Sequence, residues 1–488
     1  MPVAARSAIL LSIPKMSVMN LATSVSRAGD LVFDPQLIGR FDVNGPRYTS
    51  YPTADRFVEA FDAKALGASL GARRAAGNTH SPLSLYVHIP FCSTACAYCA
   101  CNKIVTRDHA RAAEYLRYLA KEIGMQAALL EGGRRVAQLH LGGGTPTFLS
   151  CDEMRELIAT LHEHFEFVPD GEYSIEVDPR QVDFSTVQAL AGLGFNRMSV
   201  GVQDFDPDVQ RAVNRVQSFG KTREVIDAAR AAGFKSVSID LIYGLPRQSV
   251  ASFDATLERT VELQPDRLSI YSYAHLPGAF KTQRSIVEAE LPSADTKLRI
   301  LAHAIRCLAD AGYVYIGMDH FARPDDELAV AQRQGRLHRN FQGYSTHADC
   351  DMLSFGVSAI GKVGPCYSQN FRTIGEYYDA LDHGVLPVMR GLQLGVDDLL
   401  RRSIIQALMC HFELSIESIE AVYLSDFRRY FAPELADLRE MERAGLVEID
   451  DRWITVLPKG RLLVRAVAMV FDRYLRSDRK RERYSKII

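Results

Sequence analysis

The sequence predicts an α/β chain: a partial, open (β/α)6-type barrel joined to a mainly helical carboxyl-terminal domain. Three observations carry this. From about Leu83 to Tyr273, short β-rich runs alternate with longer amphipathic stretches, the rhythm of successive βα units around a parallel sheet. There are six such runs, too few for a complete eight-fold barrel, which leaves a doubly wound sheet as the second choice. After about Leu392 the rhythm changes to helices and then a short hairpin.

Taken in order, the first 29 residues carry Arg6, Lys15 and Arg27, many small residues, and no acid before Asp30. That composition is shared with organelle-targeting peptides, but the apolar run Ala8 to Ile13 is short and Pro14 interrupts any amphipathic helix. Residues 1–44 are therefore expected to be a poorly ordered extension. Residues 45–80 are expected to form a segment covering the substrate, 81–385 the barrel and its extension, and 386–488 the helical domain. The strand candidates are Leu83 to Ile89, Ala137 to Gly142, Tyr173 to Val177, Arg197 to Val202, Ser236 to Tyr243 and Arg267 to Tyr273. Thr296 to Ala311 reads as a helix and Tyr313 to Phe321 as one further strand. The polar stretches Arg323 to Asp326 and His338 to Gln342 are expected to close over the mouth. In the last domain a Gly445 stop and a hairpin from Val447 to Val456, turning at Asp450 and Asp451, give a winged-helix-like pattern. Asp397 to Glu417 is not a basic recognition helix, which argues against DNA. Seven basic residues lie between Arg473 and Lys486, interleaved with Asp478 and Glu482, as on a solvated helix face.

Composition narrows the function classes. With 47% hydrophobic and 24% charged residues in 488, the chain is neither disordered nor a small disulfide-stapled protein. Lys plus Arg number 57 against 59 Asp plus Glu, so no global field favours a nucleic-acid partner. No run approaches the roughly 20 apolar residues that cross a bilayer, and a cytoplasmic protein, most simply a monomer, is expected. Of nine cysteines, Cys92, Cys96, Cys99 and Cys101 fall within ten positions while the other five are scattered. Such a cluster marks a metal site in a reducing compartment.

In barrels and open parallel sheets, chemistry collects at the carboxyl ends of the strands, where the loops converge. The cysteine cluster follows the first strand candidate, Gly142 to Gly144 ends the second, Glu176 and Asp178 end the third, Gln203 and Asp204 follow the fourth, and Asp240 sits in the fifth. The cysteine spacing is C-x3-C-x2-C-x-C. A zinc ribbon would need a second, separated C-x2-C pair, and there is none. Soft thiolates also suit iron–sulfur clusters, and a cubane normally takes four. If Cys101 is the fourth ligand, the cluster is closed and suited to electron transfer. If it is not, one iron is open. Buried core thiols have no reason to take this spacing.

C-x3-C-x2-C after the first strand of a partial βα barrel, followed by a glycine-rich strand end, resembles the radical S-adenosylmethionine superfamily. The resemblance implies a radical S-adenosylmethionine barrel. In that superfamily an open iron of a [4Fe–4S] cluster chelates S-adenosylmethionine, and one electron cleaves it to methionine and a 5′-deoxyadenosyl radical. The closer resemblance, from Gly45 to the carboxyl end, is to the oxygen-independent coproporphyrinogen III oxidase family. It is carried by Pro46-Arg-Tyr-Thr-Ser-Tyr-Pro-Thr53, the cysteine loop through Lys103, Gly142-Gly-Gly-Thr-Pro-Thr147, Ser174-Ile-Glu-Val-Asp-Pro-Arg180, Gly201-Val-Gln-Asp-Phe205, Asp240-Leu-Ile-Tyr-Gly-Leu-Pro246, Tyr273-Ala-His-Leu-Pro277, the stretch from Gly317 to Asp326, and His338-Arg-Asn-Phe-Gln-Gly-Tyr344.

That resemblance implies Cys92, Cys96 and Cys99 as cluster ligands, with Cys101 nearby but not ligating. It implies Tyr86, Tyr98, Gly143, Gly144, Thr145, Glu176, Gln203, Arg215, Asp240, Ala274 and Ile360 as positions lining two S-adenosylmethionine molecules. Taken singly, each of these is ordinary: a turn glycine, a surface acid, a structural ion pair. The implied substrate is coproporphyrinogen III. Each of two propionates would lose a β-hydrogen atom, carbon dioxide and one electron to become a vinyl group, giving protoporphyrinogen IX in haem biosynthesis. An electron donor and a terminal acceptor are implied, neither identified by the sequence. Arg47, Lys103, Arg180, Arg323 and Arg339, lying in the matching stretches, are the expected propionate holders. A haem-binding chaperone of the same superfamily typically has an aromatic residue at the place of Cys101 and lacks Arg47-Tyr48-Thr49. A closed-cluster redox or regulatory protein would need Cys101 as a ligand.

Overall fold

The computed structural model describes residues 31–75, 81–130, 132–347, 350–477 and 484–488. Six parallel strands form its centre: β1 (Leu83–Ile89), β2 (Arg135–Gly143), β3 (Glu166–Val177), β4 (Arg197–Gln203), β5 (Ser236–Tyr243) and β6 (Arg267–Ser272). Each strand pairs with the next in chain order. A doubly wound sheet would reverse direction at a switch point, so the sequential order selects the barrel arrangement. Helices α1 (Ala110–Ala128), α2 (Cys151–His164), α3 (Phe184–Gly192), α4 (Phe219–Ala231), α5 (Val250–Glu262) and α6 (Ala294–Asp310) make the returns. Five of them open on a side-chain cap written in the sequence, from Ser150, Asp183, Ser218, Ser249 and Ser293. Each such cap is worth about 1 kcal/mol.

The strands alternate, and the alternation sets the character of the lumen. In β1, Leu85, Val87 and Ile89 are fully buried in the main hydrophobic core. Tyr86 and His88, of opposite parity, stand beside His140 and Gly142 of β2. The same parity continues through Ser174 and Glu176, Ser199 and Gly201, Asp240 and Ser269. The apolar parity packs outward against the helices, and the polar parity faces a cavity-bearing interior.

Beyond β6, where one strand is expected from Tyr313 to Phe321, the chain forms two short antiparallel strands, β7 (Val314–Gly317) and β8 (His320–Ala322). Met318 takes a left-handed backbone (φ 55°) at the turn between them. Beyond β1 the sheet continues through β9 (Asp351–Phe355), β10 (Ile360–Val363), β11 (Cys366–Asn370) and β12 (Val388–Gln393), making twelve strands. β9 is parallel to β1 and the rest are antiparallel. The catalytic sheet thus runs past the boundary expected at 385.

The carboxyl-terminal domain begins with α7 (Val396–His411). Shorter helices and a three-stranded antiparallel sheet follow, in which Glu413–Ser415 pairs with Trp453–Val456 and that strand with Val447–Ile449. The amino-terminal segment docks on this domain. The Arg465 guanidinium donates to the carbonyls of Gly45, Pro46 (3.0 Å) and Ile487 (3.1 Å), and the Tyr48 hydroxyl donates to Asp472 (3.0 Å). Residues 31–44, expected to be poorly ordered, instead form a helix, Pro35–Phe41, capped by Asp34 and buried at Ile38 and Phe41. The reading of residues 1–30 lies outside the described residues, as does the basic stretch from 478 to 483. Among the described residues no helix is long and apolar enough to cross a membrane.

Candidate active site

The cysteine loop leaves the carboxyl end of β1 and is pinned by its neighbours. Phe91–Cys92 pairs with Ile104–Val105, closing the loop at its base. The Ala97 amide donates to the Val213 carbonyl (2.9 Å) and the Asn214 side chain to the Ala95 carbonyl (2.8 Å). The Cys99 carbonyl accepts from Lys103 Nζ (3.1 Å) and Thr282 Oγ1 (3.0 Å). Cys92, Cys96 and Cys99 thereby line one cavity of about 170 Å³, together with Tyr98, Gly143, Gly144, Thr145, Glu176, Gln203, Arg215 and Asp240. The ends of five strands, β1 to β5, and their loops are needed to bring these residues together, as expected for the carboxyl mouth of a barrel.

Two of the positions demand glycine. Gly143 has φ 113°, and a Cβ there would fall 2.6 Å from the His88 ring. A Cβ on Gly144 would fall 2.7 Å from the Pro90 carbonyl, against which the backbone packs. Glycine is what allows the second strand to end against the cysteine loop.

The thiols sit in a field arranged by charge. Arg215 Nη1 lies 3.6 Å and Arg180 Nη2 3.9 Å from Cys96 Sγ. Between the two guanidiniums Asp178 accepts from Arg180 (2.6 Å) and Arg215 (3.2 Å). Burial opposes the Asp178 charge, but the two arginines hold its pKa below the ordinary carboxylate value. Burial pushes Cys92 up to about 11, against the Thr145 hydroxyl at 3.4 Å. Cys99 is drawn down to about 6, chiefly by its hydrogen bond with Cys101 and then, against burial, by Lys103. Burial lifts Asp240 to about 6, opposed by the Ser199 hydroxyl (2.9 Å) and reinforced by Glu176.

A second cavity of about 310 Å³ adjoins the first across Cys101, Gly143 and Glu176, and holds Tyr86 and Ile360. His88 and His140 also line it, with Phe341 and Gln342 from the turn of the hairpin His338–Asn340 and Gly343–Ser345. His88 Nε2 faces the Asn102 carbonyl at 2.9 Å, which can only accept, so Nε2 carries the proton and Nδ1 accepts from the Tyr86 hydroxyl (3.0 Å). Burial lowers the His88 pKa and keeps it neutral. His140 Nε2 (3.3 Å) and the Gly143 amide (3.3 Å) hold Glu176 between the cavities.

Of the residues expected to hold the cluster or line S-adenosylmethionine, only Ala274 lines neither cavity. Its carbonyl accepts from buried Gln283 (3.2 Å), whose amide also donates to the Tyr98 carbonyl (3.1 Å). Gln283, His88, His140, Phe341 and Gln342 escape a reading of motifs one at a time. The parity of β1 and β2, which puts His88 with Tyr86 and His140 with Gly142, is the signal that points to the two histidines.

The expected propionate holders divide. Arg323 is misplaced: β8 runs antiparallel to β6 with Ala322 opposite Arg267, so Arg323 lies at the amino end of β6, its amide bonded to the Asp266 carbonyl. Asp326 there pairs with Arg267 (2.9 Å), so the stretch 323–326 does not cover the mouth. Arg180 is committed to Asp178, and Arg47 to Asp319. Lys103 lines the thiol cavity and Arg339 a third, separate one.

The donor set fits a cuboidal iron–sulfur cluster and its ligand. Cys92, Cys96 and Cys99 share one cavity with Cys101, and Arg215 Nε there is buried without a hydrogen-bond partner, a donor left for an acceptor from outside the chain.

Residues 86–260 match the family described as the Radical SAM superfamily, and residues 394–463 that described as the HemN C-terminal domain. The oxygen-independent coproporphyrinogen III oxidase of Pseudomonas aeruginosa is 51% identical over 461 residues, 93% of this chain and 99% of that protein. The chain belongs to the oxygen-independent coproporphyrinogen III oxidase family. Its Escherichia coli relative of the same name is 49% identical over 456 residues, covering 93% of this chain and 98% of that one. A solved structure described as coproporphyrinogen III oxidase (HemN) from Escherichia coli, a radical SAM enzyme, superposes with a TM-score of 0.87 over 91% of this chain and 100% of that chain. The cofactors of this radical enzyme family are a [4Fe–4S] cluster and S-adenosylmethionine.

Proposed function

We propose that the chain converts two propionates of coproporphyrinogen III to vinyl groups without oxygen, giving protoporphyrinogen IX, with Cys92, Cys96 and Cys99 holding the cluster. One observation carries the reading: the three thiols line the same cavity as the glycine-rich end of β2, Glu176, Gln203, Arg215 and Asp240, in a chain 51% identical to a named oxidase. When bound, the cluster and S-adenosylmethionine supply the radical that removes the hydrogen atom. The protein residues position and insulate. The Gly143 and Gly144 backbone permits close approach, Arg215 Nε is a donor for a carboxylate, and Asp240 and Glu176 are acceptors for ribose hydroxyls or an ammonium. The second cavity, with Tyr86 and Ile360, is the place for the second S-adenosylmethionine, as two successive decarboxylations require. Residues 45–80 belong to the cover of the substrate, and the chain works as a cytoplasmic monomer with an external electron donor and acceptor.

Cys101 lines both cavities and bonds to Cys99, which fits a neighbour rather than a fourth ligand. The test is an anaerobic assay of reconstituted protein with S-adenosylmethionine, a strong reductant and coproporphyrinogen III, following 5′-deoxyadenosine and porphyrin product together. Coupled formation of both is expected. Cofactor cleavage with no decarboxylation overturns the substrate assignment.

A further inference from the structure

A third cavity, of about 380 Å³, lies between the sheet and the carboxyl-terminal domain. Its walls come from Ser84 of β1, Met352 of β9, Lys362 of β10, the 338–341 segment and one face of α7. It shares Phe341 with the second cavity, as the second shares Cys101, Gly143 and Glu176 with the first. Its lining is cationic: Arg339, Lys362 and Arg402, with His338 and His411 among them. No Asp or Glu is among its described lining residues. Gln406 of α7 clamps the Arg339 backbone, accepting from its amide (3.2 Å) and donating to its carbonyl (2.9 Å).

Three nitrogens in this lining, Arg339 Nη1, Arg402 Nη1 and His411 Nδ1, are buried without a hydrogen-bond partner. Arg339 is itself only 3% exposed, and neither it nor Arg402 has a carboxylate partner among the described residues. Unmade bonds of this kind are unfavourable, and buried charges in proteins are ordinarily paired. The excess is felt nearby. Burial, then Lys362 and Arg402, push His338 down to about 3, and burial, then Arg47 and Arg339, push Arg465 down to about 9. Beside the thiols, by contrast, Asp178 neutralises Arg180 and Arg215. Here no described residue supplies a carboxylate to Arg339 or Arg402.

We propose that this cavity seats carboxylates of the porphyrinogen, those of the propionates not reacting, with Arg339 and Arg402 as the residues that fix which arm points toward the thiol cavity. This rests on the coproporphyrinogen III reading. A separate small anion, a tricarboxylate or inorganic phosphate, presents the same chemistry, and the experiment separates the two.

Reconstituted full-length protein is titrated anaerobically with coproporphyrin III, the fluorescent oxidised form of the substrate, and with its tetramethyl ester. Wild type, Arg402→Met, Arg402→Lys and Arg339→Met are compared, with thermal midpoints recorded for each. Losing a charge-assisted bond is expected to weaken the tetra-acid roughly tenfold or more in Arg402→Met and Arg339→Met, with Arg402→Lys recovering part. The ester should bind equally in all four proteins. Tetra-acid affinity unchanged in folded Arg402→Met overturns the proposal, as does citrate or phosphate binding that depends on Arg402 while porphyrin binding does not. Wild type that binds no coproporphyrin III defeats the functional reading itself, whereas wild-type binding indifferent to Arg402 defeats this inference alone.

Discussion

Arg180 and Arg215 stand beside the cluster loop and share one buried carboxylate, Asp178, while Arg339 and Arg402 line a cavity with no described carboxylate. Both pairs come from loops or helices brought together by the same sheet. In the first region the protein completes its own electrostatics, so the arginines shape the surroundings of Cys96 and are held in place before any ligand arrives. In the second no described carboxylate completes the positive charge, a cost in stability that recognition of an anion would offset. The contrast separates arginines that build a site from arginines that read a ligand, a distinction residue type alone does not make.

The largest effect that would sharpen this contrast lies at the thiols. Cys92→Ser, Cys96→Ser and Cys99→Ser are each expected to abolish cluster assembly, and Cys101→Ser to retain it, as read by iron and sulfide content after anaerobic reconstitution. Incorporation lost in Cys101→Ser would make it a ligand and the cluster closed.

Next comes the neutralising carboxylate. Asp178→Asn leaves the buried Arg215 guanidinium facing the half-buried one of Arg180 and should cost about 3–5 kcal/mol, seen as a lower thermal midpoint. Adding Arg180→Met to that variant should recover part of the loss, and an unchanged midpoint in Asp178→Asn would break the comparison on its first side.

Asp240 gives a pH signature of its own. Its pKa is about 6 in the folded protein against an ordinary 3.8, so between these values the native state holds a proton that the unfolded chain releases. Stability attributable to this group is therefore full below about pH 4 and is lost as pH rises through 6, by roughly 3 kcal/mol in all. Denaturant titrations of wild type and Asp240→Asn across that range should show the slope in the first and a flatter profile in the second.

The smallest effect is the most diagnostic for the second region. Arg402→Met removes a charge that has no carboxylate partner among the described residues, and is expected to change stability by less than about 1 kcal/mol, in the stabilising direction if at all. A loss as large as that of Asp178→Asn would show that Arg402 is structural after all.

Much of the frame is legible in the chain itself. Alternation such as Leu85, Val87, Ile89 against Ser84, Tyr86, His88 identifies a strand with one greasy and one polar face, and repeated six times it implies parallel βα units. Ser150, Asp183, Ser218, Ser249 and Ser293 mark where the helices begin. The strands β9 to β12 are less visible. They are four to six residues long, carry polar residues such as Ser354, Lys362 and Gln369, and exist as strands because β1 and one another offer partners. The turn at Met318 hides for a related reason. Tyr313 to Phe321 has strand composition throughout, and only the pairing of β8 with β6 reveals the reversal that carries Arg323 to the amino end.

Local order along the chain was enough to determine the parallel units, their helix starts and the close spacing of the thiols, because periodicity, caps and short loops act over a few residues. Which arginines are neutralised, that Gln283 ties Tyr98 to Ala274, and that α7 closes a cationic cavity against β1 and β9 were decided only by the tertiary structure. Charge compensation and burial depend on distances between side chains far apart in sequence, and those distances come into being only when the sheet is assembled.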